Sequence, residues 1–312
     1  MKKHLALAMG LMLLAVAIAG CGKSSSLTST SGGSTSGGTA VEQAKVNATL
    51  AADVALIEDT ISQDETPVDF TLGGGTALVR PYRWWREVTN VDRTFDTQFS
   101  DPDSSGRPTR ALVTVNSTLT GSFHVIVGDT AAGDTTRRLV NKPFTDLRVR
   151  KLALIRVPVD TAETDSLHRE WRIVGTSGVE VATRNGVTNI QSLRVQAGAV
   201  DTTITNPLEL WRTHRLFFLP PNTQVTLTLT TNSADDLVFL RGLDRRFRFR
   251  PNGDGTFSAS WLTGDHPMPI QHFGVEAMSR ATLFDDEAPY DANAWILPYA
   301  PRREGCDIEH RR

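Results

Sequence analysis

The chain has 312 residues, of which 39% are hydrophobic, and a formal net charge of −2. This composition supports one or two globular domains and excludes a largely disordered chain. It also lacks the basic excess of a nucleic-acid-binding protein, so no nucleic-acid partner is expected. The two cysteines, Cys21 and Cys306, are too few for a disulfide framework or a cysteine-rich zinc site, and the sequence predicts no cofactor and no metal.

The N-terminus has the pattern of an export signal. Lys2 and Lys3 precede an apolar run over residues 5–19, which is shorter than the roughly 20 apolar residues of a membrane span. The next residues, Ile18-Ala19-Gly20-Cys21, resemble the lipobox of bacterial lipoproteins. The resemblance implies a signal peptide over residues 1–20, cleavage between Gly20 and Cys21, and lipid on Cys21. A plain secretory signal and an uncleaved anchor are the alternatives.

The lipobox resemblance also implies a location. The protein would be held in the cell envelope through its N-terminal lipid, with stable anchoring from two or more acyl chains. Gly22 rather than Asp follows the cysteine, which resembles outer-membrane lipoproteins in organisms that have an outer membrane.

Residues 21–40 are predicted to be a flexible linker after the lipidated cysteine, because Ser, Thr and Gly dominate them. From Val41 to about Ser62, apolar residues recur at spacings of three and four. This spacing predicts one amphipathic helix whose apolar stripe packs on the domain that follows.

Residues 68–200 are typical of β-strands. Val113, Val115, Leu119, Phe123, Val125 and Val127 share one phase of the alternation, and His124 belongs to the other phase. With the preceding helix, these strands predict an α+β half-barrel over residues 41–200. Because Trp84 and Trp85 are adjacent on one strand, they must point in opposite directions, which leaves one of them free to be exposed.

A second, weaker family resemblance lies in this region. Glu170-Trp-Arg-Ile-Val-Gly-Thr176 looks like the final strand of the nuclear-transport-factor-two-like, or cystatin-like, cone fold. Enzymes of that family place Asp, His or Tyr inside the cone. His124 is the candidate for such a residue here, and the alternation alone allows it to face either way.

Residues 201–300 are predicted to form an antiparallel immunoglobulin-like β-sandwich, followed by a charged tail over residues 301–312. The seven candidate strands are Leu208–Leu219, Gln224–Thr230, Leu237–Leu240, Arg246–Arg250, Thr256–Leu262, Ile270–Met278 and Ala294–Leu297. The Asn-Gly pair within Asn252–Gly255 predicts a hairpin.

The remaining polar clusters each have a functional and a structural interpretation. Residues 101–106 resemble the start of a calcium loop, but position twelve is Leu112 rather than Glu, so a polar turn is favoured. Arg246, Arg248 and Arg250 could bind lipid phosphates or acidic polysaccharide. The favoured interpretation is a strand with Phe247 and Phe249 in the core and a solvated arginine face.

Together, these features predict a mainly β protein with one N-terminal helix and a non-enzymatic structural or binding role in the cell envelope. Its partner would be an envelope protein or a polysaccharide. The alternative is a small-molecule-binding or hydrolytic cone domain on the same lipid anchor. The sequence has neither a Gly-x-Ser-x-Gly motif nor a His-Glu-x-x-His motif, which lowers the expectation of an enzyme.

Overall fold

A computed structural model describes residues 27–29, 37–53, 61, 65, 67–69, 79–129, 137–157, 170–212, 217–242, 245–264 and 271–301. The described elements, in chain order, are β1 (Leu27–Ser29), α1 (Gly37–Ala52), β2 (Val68–Asp69), β3 (Val79–Pro102), β4 (Pro108–Asp129), β5 (Arg137–Arg156), β6 (Trp171–Thr183), β7 (Ile190–Ala197), β8 (Val200–Ile204), β9 (Trp211–Arg212), β10 (Phe217–Leu219), β11 (Gln224–Thr231), β12 (Leu237–Gly242), β13 (Arg245–Arg248), β14 (Arg250–Pro251), β15 (Thr256–Leu262), β16 (Gln271–Met278), α2 (Arg280–Phe284) and β17 (Ala292–Pro301). The prediction of a mainly β protein is confirmed.

Two sheets contain these strands. The larger has 12 strands, in the order β1-β3-β4-β5-β6-β17-β16-β12-β13, with β2, β9 and β10 paired to the side. The smaller has five strands, in the order β14-β15-β11-β7-β8. Strand β3 alone has 24 residues, which corresponds to a length of about 80 Å.

Alternation along β4 sorts its side chains onto two faces. The predicted phase from Val113 to Val127 is buried, and the other phase, which includes His124, is half-buried on the opposite, outward face. Strand β5 continues the buried face through Phe144, Leu152 and Leu154. The apolar phase of β4 therefore faces the core.

Helix α1 covers one end of the buried face. Val46 and Leu50 are fully buried and pack with Val113, Val115 and Leu152 of the sheet. The helix begins at Gly37, inside the predicted linker, and ends at Ala52, before the predicted end near residue 62. Residues 54–60 of the predicted helix lie outside the described residues.

Polar contacts fasten α1 to the sheet. Glu42 Oε1 accepts hydrogen bonds from Nε (3.1 Å) and Nη2 (2.6 Å) of Arg107, and its Oε2 accepts one from Trp171 Nε1 at 2.9 Å. Lys45 pairs with Glu170 at 2.5 Å, and Glu170 also contacts Arg107. These contacts join the helix to the β3–β4 turn and to the start of β6.

The predicted linker also contributes a strand. Residues Leu27–Ser29 pair in parallel with β3 opposite Arg93 to Phe95. An edge strand presents unpaired N–H and C=O groups, which explains how a short polar segment can add to it.

The smaller sheet packs against the far end of the larger one. Their shared core contains Val195 of β7, Leu227 of β11, Val275 of β16 and Leu297 of β17. Of the strands predicted between residues 201 and 300, those over residues 224–230 and 256–262 lie in the smaller sheet with β7 and β8, and those over residues 237–240, 270–278 and 294–297 lie in the larger sheet. The strand predicted over Leu208–Leu219 is not continuous, because its described residues form only the short strands β9 and β10. Strand β17, from the second predicted domain, pairs with β6, from the first. The larger sheet therefore joins the two regions that the sequence predicts to be separated by a boundary near residue 200.

Two predicted turns are confirmed. At the β3–β4 turn, Asp103 Oδ1 accepts hydrogen bonds from the N–H groups of Ser105 and Arg107. At the β14–β15 turn, Asn252 N–H donates to Thr256 O at 2.9 Å. Gly253 has φ of 86°, a conformation that favours glycine.

Candidate functional site

Buried charged residues occupy the middle of the larger sheet's buried face. Arg86 Nη1 donates to Asp146 Oδ2 at 3.0 Å and to Tyr290 Oη at 3.3 Å. Arg241 Nη2 lies 2.6 Å from Glu276 Oε1. All five side chains are almost fully buried. We call these five residues the buried ion network.

Burial and neighbouring charges shift the pKa values within this network. Burial raises the pKa of the Asp146 carboxyl, and the Arg86 guanidinium opposes that rise. Burial and the nearby Arg86 charge lower the pKa of Arg241 to about 10. Burial also raises the pKa of Tyr290, so its phenol stays protonated. Because each carboxylate faces a guanidinium, the ion pairs offset part of the cost of burying these charges.

Further arginines lie on the same face. Arg93, Ser117 and Arg148 form one cross-strand row over β3, β4 and β5, and all three are buried. Arg150 Nη2 lies 3.4 Å from His272 Nε2. Each of these arginines has additional interactions, so none of the three guanidinium groups is without a partner.

Sequence reasoning missed the buried ion network. The sequence did contain one signal. On β5, the charged residues Asp146, Arg148 and Arg150 fall in the same alternating phase as the buried residues Phe144 and Leu152. The partners of Asp146 and Arg241 lie 60 and 35 residues away in the chain, so the sequence alone did not indicate them.

His124 lies on the outward face, away from the buried face. Its ring stacks on Trp85 with a centroid separation of 4.8 Å and an interplanar angle of 22°. Its Nδ1 lies 2.7 Å from Asn141 Oδ1, and its Nε2 lies 3.2 Å from Glu87 Oε2. Trp84 faces the opposite way and is fully buried. The expected opposition of Trp84 and Trp85 is therefore confirmed, and His124 does not line the interior as a cone-fold pocket would require.

The arginine stripe predicted over residues 246–250 is divided between two sheets. Arg246 and Arg248 belong to β13 of the larger sheet, whereas Arg250 belongs to β14 of the smaller one. The guanidinium carbon of Arg246 lies 4.9 Å from the Trp84 ring centroid, so this arginine is half-buried rather than solvated.

The predicted core positions beside this stripe also need correction. Phe249 is buried, but Phe247 is 40% exposed. Phe247 lies on β13, which is the last strand of the larger sheet. An edge position covers a side chain on fewer sides, which explains why alternation alone placed Phe247 in the core incorrectly.

Gly20, Cys21 and Cys306 lie outside the described residues, as does the signal peptide. Within the described chain, neither helix is both long enough and apolar enough to cross a membrane. Among the same residues, no group of three or more His, Cys, Asp or Glu side chains is arranged to hold a metal ion. No protein-family model, curated protein or solved structure matches this chain.

Proposed function

We propose that this chain is a lipid-anchored protein of the cell envelope with a non-enzymatic binding or structural role. The observation that carries the proposal is the Ile18-Ala19-Gly20-Cys21 pattern directly after a charged and apolar N-terminus. Lipid on Cys21 would attach everything after it to a membrane surface, and the outer membrane is favoured where the organism has one.

The proposal includes the two architectures expected from the sequence. In the first, α1 lies against β3–β6 as in a half-barrel, and this is supported by the packing of Val46 and Leu50 on the sheet. In the second, an immunoglobulin-like sandwich lies at the other end of the chain. It is supported by the shared core of the two sheets.

A binding role is supported by the outward face of β3, β4 and β5. The opposite face of these strands is occupied by α1, the buried ion network and the aromatic cluster around Phe123. The outward face keeps its side chains half-buried or exposed. A rigid sheet that is packed on one face can present the other face to a partner.

Intact-mass analysis of the mature chain purified from membranes tests the anchor. We expect the wild type to begin at Cys21 and to carry the mass of a diacylglyceryl group. Cys21→Ala should lose that mass and leave the membrane fraction. Cys306→Ala is the matched control and should keep both properties, because it removes the other cysteine of the chain. A mature chain that begins elsewhere without lipid would end the proposal.

Separation of envelope fractions tests the location. The lipidated wild type should sediment with outer membranes in an organism that has them. Recovery of the lipidated chain only with inner membranes would contradict this part of the proposal, while leaving the lipid attachment intact.

A further inference from the structure

One row of side chains on the outward face combines an aromatic ring with planar polar groups. Trp85, His124 and Asn141 are cross-strand neighbours on β3, β4 and β5. We call these three residues the Trp85 row. Glu87 lies two residues from Trp85 on the same face and contacts His124.

The contacts within the Trp85 row hold its members in place. His124 stacks on Trp85, while its two ring nitrogens lie against Asn141 and Glu87, so that only 13% of the His124 side chain is exposed. Trp85 is half-buried, and Asn141 and Glu87 are exposed. The Trp85 indole is therefore held in one orientation, with the Asn141 amide and the Glu87 carboxylate nearby. Because these groups are already ordered, less entropy is lost when a ligand binds.

The surface next to the row is rich in hydroxyl and amide groups. Strand β4 continues away from His124 with half-buried polar side chains at alternate positions: Ser122, Thr120, Thr118, Asn116 and Thr114. Such a strip can exchange hydrogen bonds with a polar chain laid along the strand.

We propose that the Trp85 row and this polar strip bind a neutral, N-acetylated glycan chain. The C–H-bearing face of a pyranose ring is electropositive and stacks on the electron-rich face of an indole, which for Trp85 is the face opposite the one that His124 covers. The acetamido N–H can donate to the Glu87 carboxylate, and sugar hydroxyls can pair with Asn141 and the threonines. This inference deepens the proposed binding role and rests on it.

The charges on the outward face are mixed and give an acidic glycan no uniform attraction. On this side, β3 carries the exposed carboxylates Glu87, Asp92 and Asp96 along the strip, and the exposed Arg83 lies two residues before Trp85. The carboxylates oppose a polyanion laid along the strip, and they remain compatible with hydroxyl and acetamido groups.

The apolar pattern disfavours a protein partner. The large exposed hydrophobic residues on this side of β5 are Leu139, Leu147 and Ile155. They are eight residues apart, which separates neighbours by about 26 Å. Leu139 also faces the half-buried Ile126 of β4, but one such pair does not form the contiguous apolar centre that a protein interface of standard size needs.

Titration of the mature full-length chain with linear N-acetylglucosamine oligomers of increasing length tests the inference. Indole fluorescence and calorimetry give the affinity. We expect affinity to rise with oligomer length, and Trp85→Ala to weaken binding about tenfold. Trp85→Phe should keep most of the affinity, because it retains an aromatic ring.

Two further variants distinguish a loss of binding from a loss of folding. Asn141→Ala removes an exposed amide and its contact with His124, and it should weaken binding several-fold with little change in the unfolding midpoint. Phe247→Ala removes an exposed aromatic ring on β13 and should leave affinity unchanged. Absence of binding to any oligomer, or an equal loss in Phe247→Ala, would overturn the inference.

The outcome is separable from that of the lipid anchor. If Cys21 proves unlipidated while the oligomers bind, the anchor fails and the glycan site stands. If the chain is lipidated but no oligomer binds, the glycan site alone fails.

Discussion

Asp236 lies where β12 begins and has an unfavourable environment at neutral pH. It is 5% exposed, and its Oδ2 has no hydrogen-bond partner among the described residues. Burial, together with the charges of Asp291 and Asp235, raises the pKa of its carboxyl to about 6. Asp291 is better placed, because the N–H groups of Val187 and Thr188 donate to it.

The direction of the pH effect follows from this shift. The folded state holds the Asp236 proton more tightly than the unfolded chain, whose carboxyl has its ordinary value of 3.8. Stability from this group is therefore complete below pH 3.8 and is lost as the pH rises through about 6. A difference of about 2 pKa units corresponds to roughly 3 kcal/mol of lost unfolding free energy at neutral pH.

Asp236→Asn should recover part of that loss. Asparagine has nearly the same shape and no charge, although its amide brings a donor that needs a partner, so we expect a gain of about 1 to 3 kcal/mol near pH 7.5. Near pH 4.5 the gain should fall to about 1 kcal/mol or less, because the wild-type carboxyl is then largely protonated.

Urea and thermal unfolding of both proteins at the two pH values measure this difference. Asp235→Asn is the matched control, because Asp235 is the adjacent residue and is exposed. It should change stability by less than about 0.5 kcal/mol. If Asp236→Asn is no more stable than the wild type near pH 7.5, or if Asp235→Asn gives the same gain, the Asp236 carboxylate does not destabilise the fold.

The elements that the sequence predicted best are those whose signal is local. The alternation of Val225, Leu227 and Leu229 with threonines predicted Gln224–Thr230, and β11 spans Gln224–Thr231. The strand predicted over Thr256–Leu262 coincides with β15. Period-two patterns depend only on which face each side chain meets, so they are readable without knowledge of the partners.

Features that depend on distant pairing were not predictable in the same way. The bonds from β6 to β17 join residues near 180 to residues near 295. Nothing local in either strand specifies this partner, and the resulting continuous sheet was not anticipated. The burial of Arg86 and Asp146 likewise depends on their meeting across the sheet, since either charge alone would be costly to bury.

The Trp85 row shows what alternation along a strand can predict and what it cannot. Alternation correctly required Trp84 and Trp85 to face opposite ways, but it could not determine which of them was buried. The burial of Trp84 depends on Phe123 and Phe239, whose rings lie 5.4 and 5.3 Å from it. These three rings come from three separate strands. Which of the two tryptophans is buried, and hence that Trp85 lies on the outward face, therefore depends on tertiary contacts that the sequence does not specify.

Two further substitutions probe the contacts that hold the larger sheet together. Tyr290→Phe removes the hydroxyl that accepts from Arg86 at 3.3 Å, and it should lower the free energy of unfolding by about 1 to 2 kcal/mol in urea titrations. An unchanged midpoint would show that this hydrogen bond contributes nothing. Glu42→Gln should lower stability by about 1 to 3 kcal/mol near pH 7, because it discharges the partner of Arg107. Burial opposes ionisation of Glu42, but hydrogen bonds from Arg107 and Trp171 outweigh it and lower the pKa of the carboxyl. Its contribution is therefore present above the ordinary value of 4.5 and is lost as the pH falls through the lowered pKa, so Glu42→Gln should flatten the acid side of the stability profile. If the variant loses stability equally at every pH, Glu42 stabilises the fold through packing and not through the charge of its carboxylate.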